Sequence, residues 1–188
     1  SVLCLIHTDD CDMYGDSEDM LNIIFNEFDS QWKCKEVSSE FVLGVTRKVT
    51  SDDQGNMTCT CTMTSFIEGM VESFKEHLPT NTINVPFPES TRLSLDKSIT
   101  DDESMVVKDR GYQRAVGMLL WCVRMVFPEC SMGVSQLCKL MSRPSEKAWT
   151  CAMHMIAWLD SQKHRGLVFT SHGNPTTIAD SDASNKPD

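Results

Sequence analysis

The sequence lacks any apolar run long enough for a helical membrane span, which takes about 18 residues. Its longest candidate, Ala115–Phe127, is interrupted by Arg124. A basic n-region and an initiator Met are also missing, so no secretory leader is expected. Starting "SVLCLIH" in what reads as mid-strand, the chain looks like a piece of a longer one. No C-x-x-C spacing occurs among the nine cysteines, whose number is odd and whose positions are scattered. Most of them, such as Cys4, Cys122, Cys138 and Cys151, fall at apolar-face positions. That pattern fits reduced, buried thiols in an intracellular protein better than a disulfide framework. No Cys/His spacing matches a zinc site, and there is neither an internal repeat nor a low-complexity tract.

The first 32 residues contain no Lys or Arg, yet carry Asp9, Asp10, Asp12, Asp16, Glu18, Asp19, Glu27 and Asp29. The net charge of −10 argues against a nucleic-acid binder only when taken as one number. Residues 108–165 reverse the sign, with Lys108, Arg110, Arg114, Arg124, Lys139, Arg143, Lys147, Lys163 and Arg165 against Asp109, Glu129, Glu146 and Asp160. One end of the chain is therefore suited to cations and the other to phosphates, unless these charges simply solvate helix faces.

The patterning predicts an α+β fold. Val2–Ile6 reads as a strand, Thr8–Asp12 as a tight connection and Met13–Tyr14 as a returning strand. A helix follows with Ser17 as N-cap, Glu18 and Asp19 in its first turn, and Met20, Leu21, Ile24, Phe25 and Phe28 as its apolar stripe. Glu40–Val49 and Met57–Thr64 flank the turn-forming "TSDDQGN" and predict a hairpin, with strict alternation in "MTCTCTMT". The spacing of Phe66, Ile67, Met70, Val71, Phe74 and Leu78 predicts a second helix, stopped by Pro79. Residues 79–107 hold three prolines and the acidic "TDDES", and read as an extended linker. Three helices are expected beyond it, near Asp109–Phe127, Ser131–Met141 and Ser145–Gln162. The strand "GLVFT" follows, and another begins in "TTIADSD".

Taken alone, the adjacent acids Asp9 and Asp10 admit three readings. They suit an ordinary turn. Counted from Asp10, "DDCDMYGDSED" partly fits a calcium loop, but Tyr14 and Leu21 occupy ligand positions. Third, an apolar strand delivering two carboxylates to a hairpin tip suits a pair of Mg²⁺ ions roughly 4 Å apart, whose mutual repulsion only dense negative charge offsets.

Five segments, in order, resemble the copia-type retrotransposon polyprotein. "CLIHTDDCDMYG" is similar to the Tyr-Val-Asp-Asp box of its reverse transcriptase, and "EFVLGVTRKVTSDDQGNMTCTCTMTSFIEGMVESF" to its Phe-Leu-Gly-Ile hairpin, returning strand and thumb helix. "NVPFPESTRL" resembles its Thr-Pro-Leu segment. "YQRAVGMLLWCVRMVFPECSMGVSQLCKLMSRPSEKAWTCAMHMIAWLDSQKHRGLVFT" resembles its connection region, and "IADSDAS" the opening of its RNase H domain. The resemblance implies palm residues 1–62, a thumb helix over 63–78, a linker over 79–107, a helical connection over 108–165 and the start of an RNase H-like domain over 166–188. It implies that Asp9 and Asp10 are catalytic carboxylates binding Mg²⁺, that Phe41, Leu43 and Gly44 form a primer-grip-like hairpin, and that Asp182 is an RNase H metal ligand.

The implied function is RNA-directed DNA polymerisation by two-metal nucleotidyl transfer, with a template–primer duplex and dNTP as partners, inside the cell in cytoplasmic particles or the nucleus. His7 and Thr8 depart from the box's Tyr and Val, and Ser184 and Asn185 from the RNase H pattern. The family's third polymerase carboxylate lies on a strand before Ser1, so this chain alone is expected to be inactive. The alternative is a degenerate, non-catalytic remnant serving interaction or assembly.

Overall fold

The computed structural model describes residues 2–7, 10–35, 40–88, 91–94 and 99–171. The fold is mixed α+β, with two antiparallel sheets among the described residues. In the first, β1 (Val2–His7) pairs with β2 (Asp10–Gly15), from Val2↔Gly15 to His7↔Asp10. Of the connection expected over Thr8–Asp12, Asp10–Asp12 belong to β2, while Thr8 and Asp9 lie outside the described residues. Helix α1 (Glu18–Trp32) lies against β2. Ser17 occupies its N-cap in extended conformation, but its hydroxyl makes no capping bond; Glu18 and Asp19 do occupy the first turn. Helical periodicity sets Leu21, Ile24, Phe25 and Phe28 as the half-buried stripe. None of the described side chains of β1, β2 or α1 is fully buried.

The second sheet has the order β3 (Phe41–Val42), β4 (Val45–Ser51), β5 (Met57–Thr62) and β6 (Gly166–Thr170). The expected strand Glu40–Val49 is thus broken at Leu43 and Gly44 into a small hairpin of its own. Asp52 closes the β4–β5 turn: its carboxylate accepts from the Gln54 and Asn56 amides at 2.9 and 2.8 Å, and Gly55 takes φ +82°. Segment 166–170, which the resemblance assigns to the opening of a following unit, pairs antiparallel to β5, with Thr62↔Gly166 and Thr58↔Thr170 in register.

The core lies in the helices. α2 (Thr64–Phe74, with a 3₁₀ turn Lys75–His77) buries Ile67, Met70 and Phe74. α4 (Tyr112–Met125) buries Tyr112, Ala115, Val116, Leu119 and Cys122. α5 is Ser131–Cys138. α6 (Glu146–Gln162) is capped by the Ser145 hydroxyl, which accepts from the Ala148 amide at 3.1 Å. Trp149 and Trp158 are buried on α6, and the Tyr112 hydroxyl donates to the Leu137 carbonyl at 2.9 Å.

The extended linker expected over 79–107 does not run its full length, because Asp101–Asp109 forms a further helix, α3. The cause is local. Thr100 Oγ1 accepts from the Glu103 amide, and the Glu103 carboxylate accepts from the Thr100 amide at 2.8 Å, a complete capping box. Gly111, at φ +94°, separates α3 from α4, so the helix expected to start near Asp109 starts at Tyr112. Among the described residues no helix is long and apolar enough to cross a membrane.

Candidate functional site

Asp10 opens β2 opposite His7, at the end of the hairpin. Asp9 and Asp182 lie outside the described residues. The apolar residues that carry the hairpin are largely in solvent: Leu3 is 58% exposed and Leu5 52%.

Two residues along β2 from Asp10, Asp12 meets β4. Arg47 Nη1 donates to Asp12 Oδ2 at 2.7 Å, and the Tyr14 hydroxyl donates to the same oxygen. Arg47 also contacts the Tyr14 hydroxyl, and its guanidinium lies 5.7 Å from the Tyr14 ring centre. Partial desolvation opposes ionisation of Asp12. The hydrogen bonds from Arg47 and Tyr14, with the Arg47 charge, outweigh it and hold the carboxyl below its ordinary range. Desolvation, then the bond to Asp12, pushes the Tyr14 phenol up. This polar cluster ties the acidic hairpin to the larger sheet. The sequence reading missed it, for no local pattern relates a lone strand Arg to an Asp so far upstream.

Phe41, Leu43 and Gly44, the primer-grip-like residues, form one tight turn. Val42 pairs with Val45, and Leu43 and Gly44 both have positive φ, at 54° and 80°. Two positive φ values define the type I′ turn, whose twist matches that of the flanking strands. A left-handed Leu costs about 1–2 kcal/mol, and its carbonyl gains a partner: Trp121 Nε1–H of α4 donates to it at 3.0 Å. A Cβ on Gly44 would sit 3.2 Å from the Phe66 ring of α2. The turn is thus wedged between α2 and α4, while Phe41 stays 49% exposed.

The solvent face of α2 is acidic, with Glu68, Glu72 and Glu76 exposed. Lys75, the one Lys or Arg on that segment, binds Glu72 at 2.6 Å. Four of the nine cations of residues 108–165 pair with carboxylates of the same chain. Arg110 grips Glu146 through both carboxylate oxygens, at 2.7 and 2.8 Å. Lys163 meets Asp160 and Glu68, Arg165 meets Glu129, and Arg143 meets Asp101. Arg114 lies over the Phe74 ring. Part of the positive charge expected to touch phosphates is therefore paired within the chain, through partly exposed bridges.

Beside the acidic tip, Cys4 and Cys11 bring their sulfurs within 3.0 Å. All nine cysteines are free thiols, with Cys122, Cys130 and Cys151 buried, Cys4, Cys59, Cys61 and Cys138 half-buried, and Cys11 and Cys34 exposed. Among the described residues no three His, Cys, Asp or Glu side chains are grouped so as to hold a metal ion. Compared with family models, curated proteins and solved structures, the chain matches none.

Proposed function

We propose that the chain is part of a copia-type RNA-directed DNA polymerase, its palm hairpin followed by thumb, connection and the opening of an RNase H-like domain. The observation that carries this reading is the register of the first hairpin. Asp10 pairs with His7, so Asp10 stands at the end of a short apolar hairpin, next in sequence to Asp9. The wedged Leu43–Gly44 turn accords with a primer-positioning role, since a turn that must hold a polynucleotide end in place needs a rigid seat. In this reading Asp9 and Asp10 are the polymerase carboxylates and Asp182 the first RNase H carboxylate. Mg²⁺, when bound, supplies the charge that steadies nucleotidyl transfer. The template–primer duplex and dNTP are the partners of the complete enzyme, which works in cytoplasmic particles or the nucleus.

A second reading, a non-catalytic remnant that serves assembly, is favoured by the acidic exposed face of α2 and the internally paired cations, both unfavourable to a phosphate backbone. Primer extension with Mg²⁺ separates the two. The chain joined to its upstream coding sequence is compared with its Asp9→Asn form. The polymerase reading expects extension that the substitution abolishes; equal extension by both forms removes Asp9 from the chemistry. No extension, together with no fluorescence-anisotropy change on an RNA–DNA hybrid, establishes the remnant.

A further inference from the structure

Of the nine thiols, one pair is built to react with itself. Cys4 and Cys11 stand on facing strands: Cys4 pairs with Met13 and Ile6 with Cys11, so the two are diagonal neighbours on one face of the hairpin. Their sulfurs lie 3.0 Å apart. A disulfide needs about 2.0 Å, so the sulfurs have to come closer by about 1 Å, by side-chain rotation and, for diagonal neighbours, a small approach of the two strands. Cys11 is exposed and Cys4 half-buried, so an oxidant in solution reaches the pair. The other close pair, Cys59 and Cys61, is separated by 3.9 Å. It lies two residues apart on one extended strand held between β4 and β6. Such side chains share one face but rise about 6.6–6.8 Å apart along the strand, and the backbone cannot shorten to bring their sulfurs to bonding distance without losing its ladder.

We propose that Cys4 and Cys11 form a reversible disulfide that closes a covalent ring around the acidic tip, with a low-molecular-weight disulfide of the glutathione type as oxidant. The Cys4 thiolate attacks one sulfur of that oxidant, forming a mixed disulfide and expelling a thiolate. Cys11 gives its proton to solvent and attacks the Cys4 sulfur, forming the Cys4–Cys11 bond and expelling the second thiolate. Two electrons pass from the protein thiols to the oxidant, which leaves as two reduced thiols. The ring encloses Leu5–Asp10, so oxidation fixes the β1–β2 register and the separation of the two strands that flank the acids. This holds whatever chemistry the tip performs.

The test equilibrates the whole chain in reduced and oxidised glutathione, quenches with acid and maps peptides without reduction. Trypsin leaves Cys4 and Cys11 on one peptide, because no Lys or Arg precedes Lys33. Closure makes that peptide lighter by about 2 Da, the two hydrogens lost. Cleavage before Asp separates the two cysteines in sequence and leaves them joined through sulfur. The expected result is a closed form in roughly tenfold excess over glutathione adducts, unchanged in Cys34→Ser. In Cys4→Ser the closed form is absent and Cys11 carries glutathione instead. Adducts that never resolve, a Cys11–Cys34 link, or free thiols under oxidising conditions each overturn the proposal. None of the hairpin's described side chains is buried, so the circular-dichroism melt of the helical core stays unchanged in every variant and confirms folding.

Discussion

Replacing Gly166 with Ala tests whether β6 belongs to the same sheet as β5. A Cβ at Gly166 would lie 2.3 Å from the Cys61 carbonyl oxygen and 2.9 Å from Thr62 Cγ2. The nearest obstacle is backbone, so no rotamer change relieves it, and the strands must part by about 1 Å to restore ordinary contact. Overpacking of this kind costs about 1–3 kcal/mol, and a stretched ladder bond adds about 1 kcal/mol. At about 2–4 °C per kcal/mol for a chain of this size, the melting temperature should fall by about 4–16 °C. Gly69→Ala and Gly117→Ala are the internal controls. Both glycines are exposed in helix interiors with nothing within 4 Å of an added Cβ, so each substitution should stabilise by about 0.5–1 kcal/mol. Thermal denaturation by circular dichroism reads all three, and hydrogen exchange at Thr58–Thr62 localises the damage to β5. If Gly166→Ala melts with the parent while the helical alanines raise the transition, β6 does not pair with β5 in solution.

The latch between the hairpin and the sheet should respond to pH. Asp12 is held below its ordinary carboxyl range, so its contribution is present above the unfolded value near 3.8 and is lost as pH falls through the folded value. Protection factors for hydrogen exchange in β2, taken against the intrinsic rate at each pH, should fall below about pH 4, and Arg47→Ala should show the acid-state protection already at neutral pH; unchanged protection in that variant would remove Arg47 from the latch. In the core, Tyr112→Phe strips the Leu137 carbonyl of its 2.9 Å donor and should cost about 1–2 kcal/mol in chemical denaturation. A neutral outcome would mean that water replaces the hydroxyl there.

Local chemistry was readable without coordinates. The apolar periodicity of α2 sorts Ile67, Met70 and Phe74 inward, Ser145 caps α6, and the alternation around Cys59 and Cys61 makes a strand. Each signal is contained within a turn or two of chain. The Thr100–Glu103 capping box was equally local, yet its acids blended into a stretch whose prolines suggested a linker. Of the candidate site, Asp10 at a strand end was named from the residues and Phe41, Leu43 and Gly44 through the resemblance, but neither the break of that strand at Leu43 and Gly44 nor what holds it was. The pairing of β6 with β5, the Arg47–Asp12 bond and the seat that Trp121 gives the Leu43 carbonyl join residues remote in sequence. Such contacts depend on how the helices pack to bring their ends together, and no short window of sequence encodes that packing.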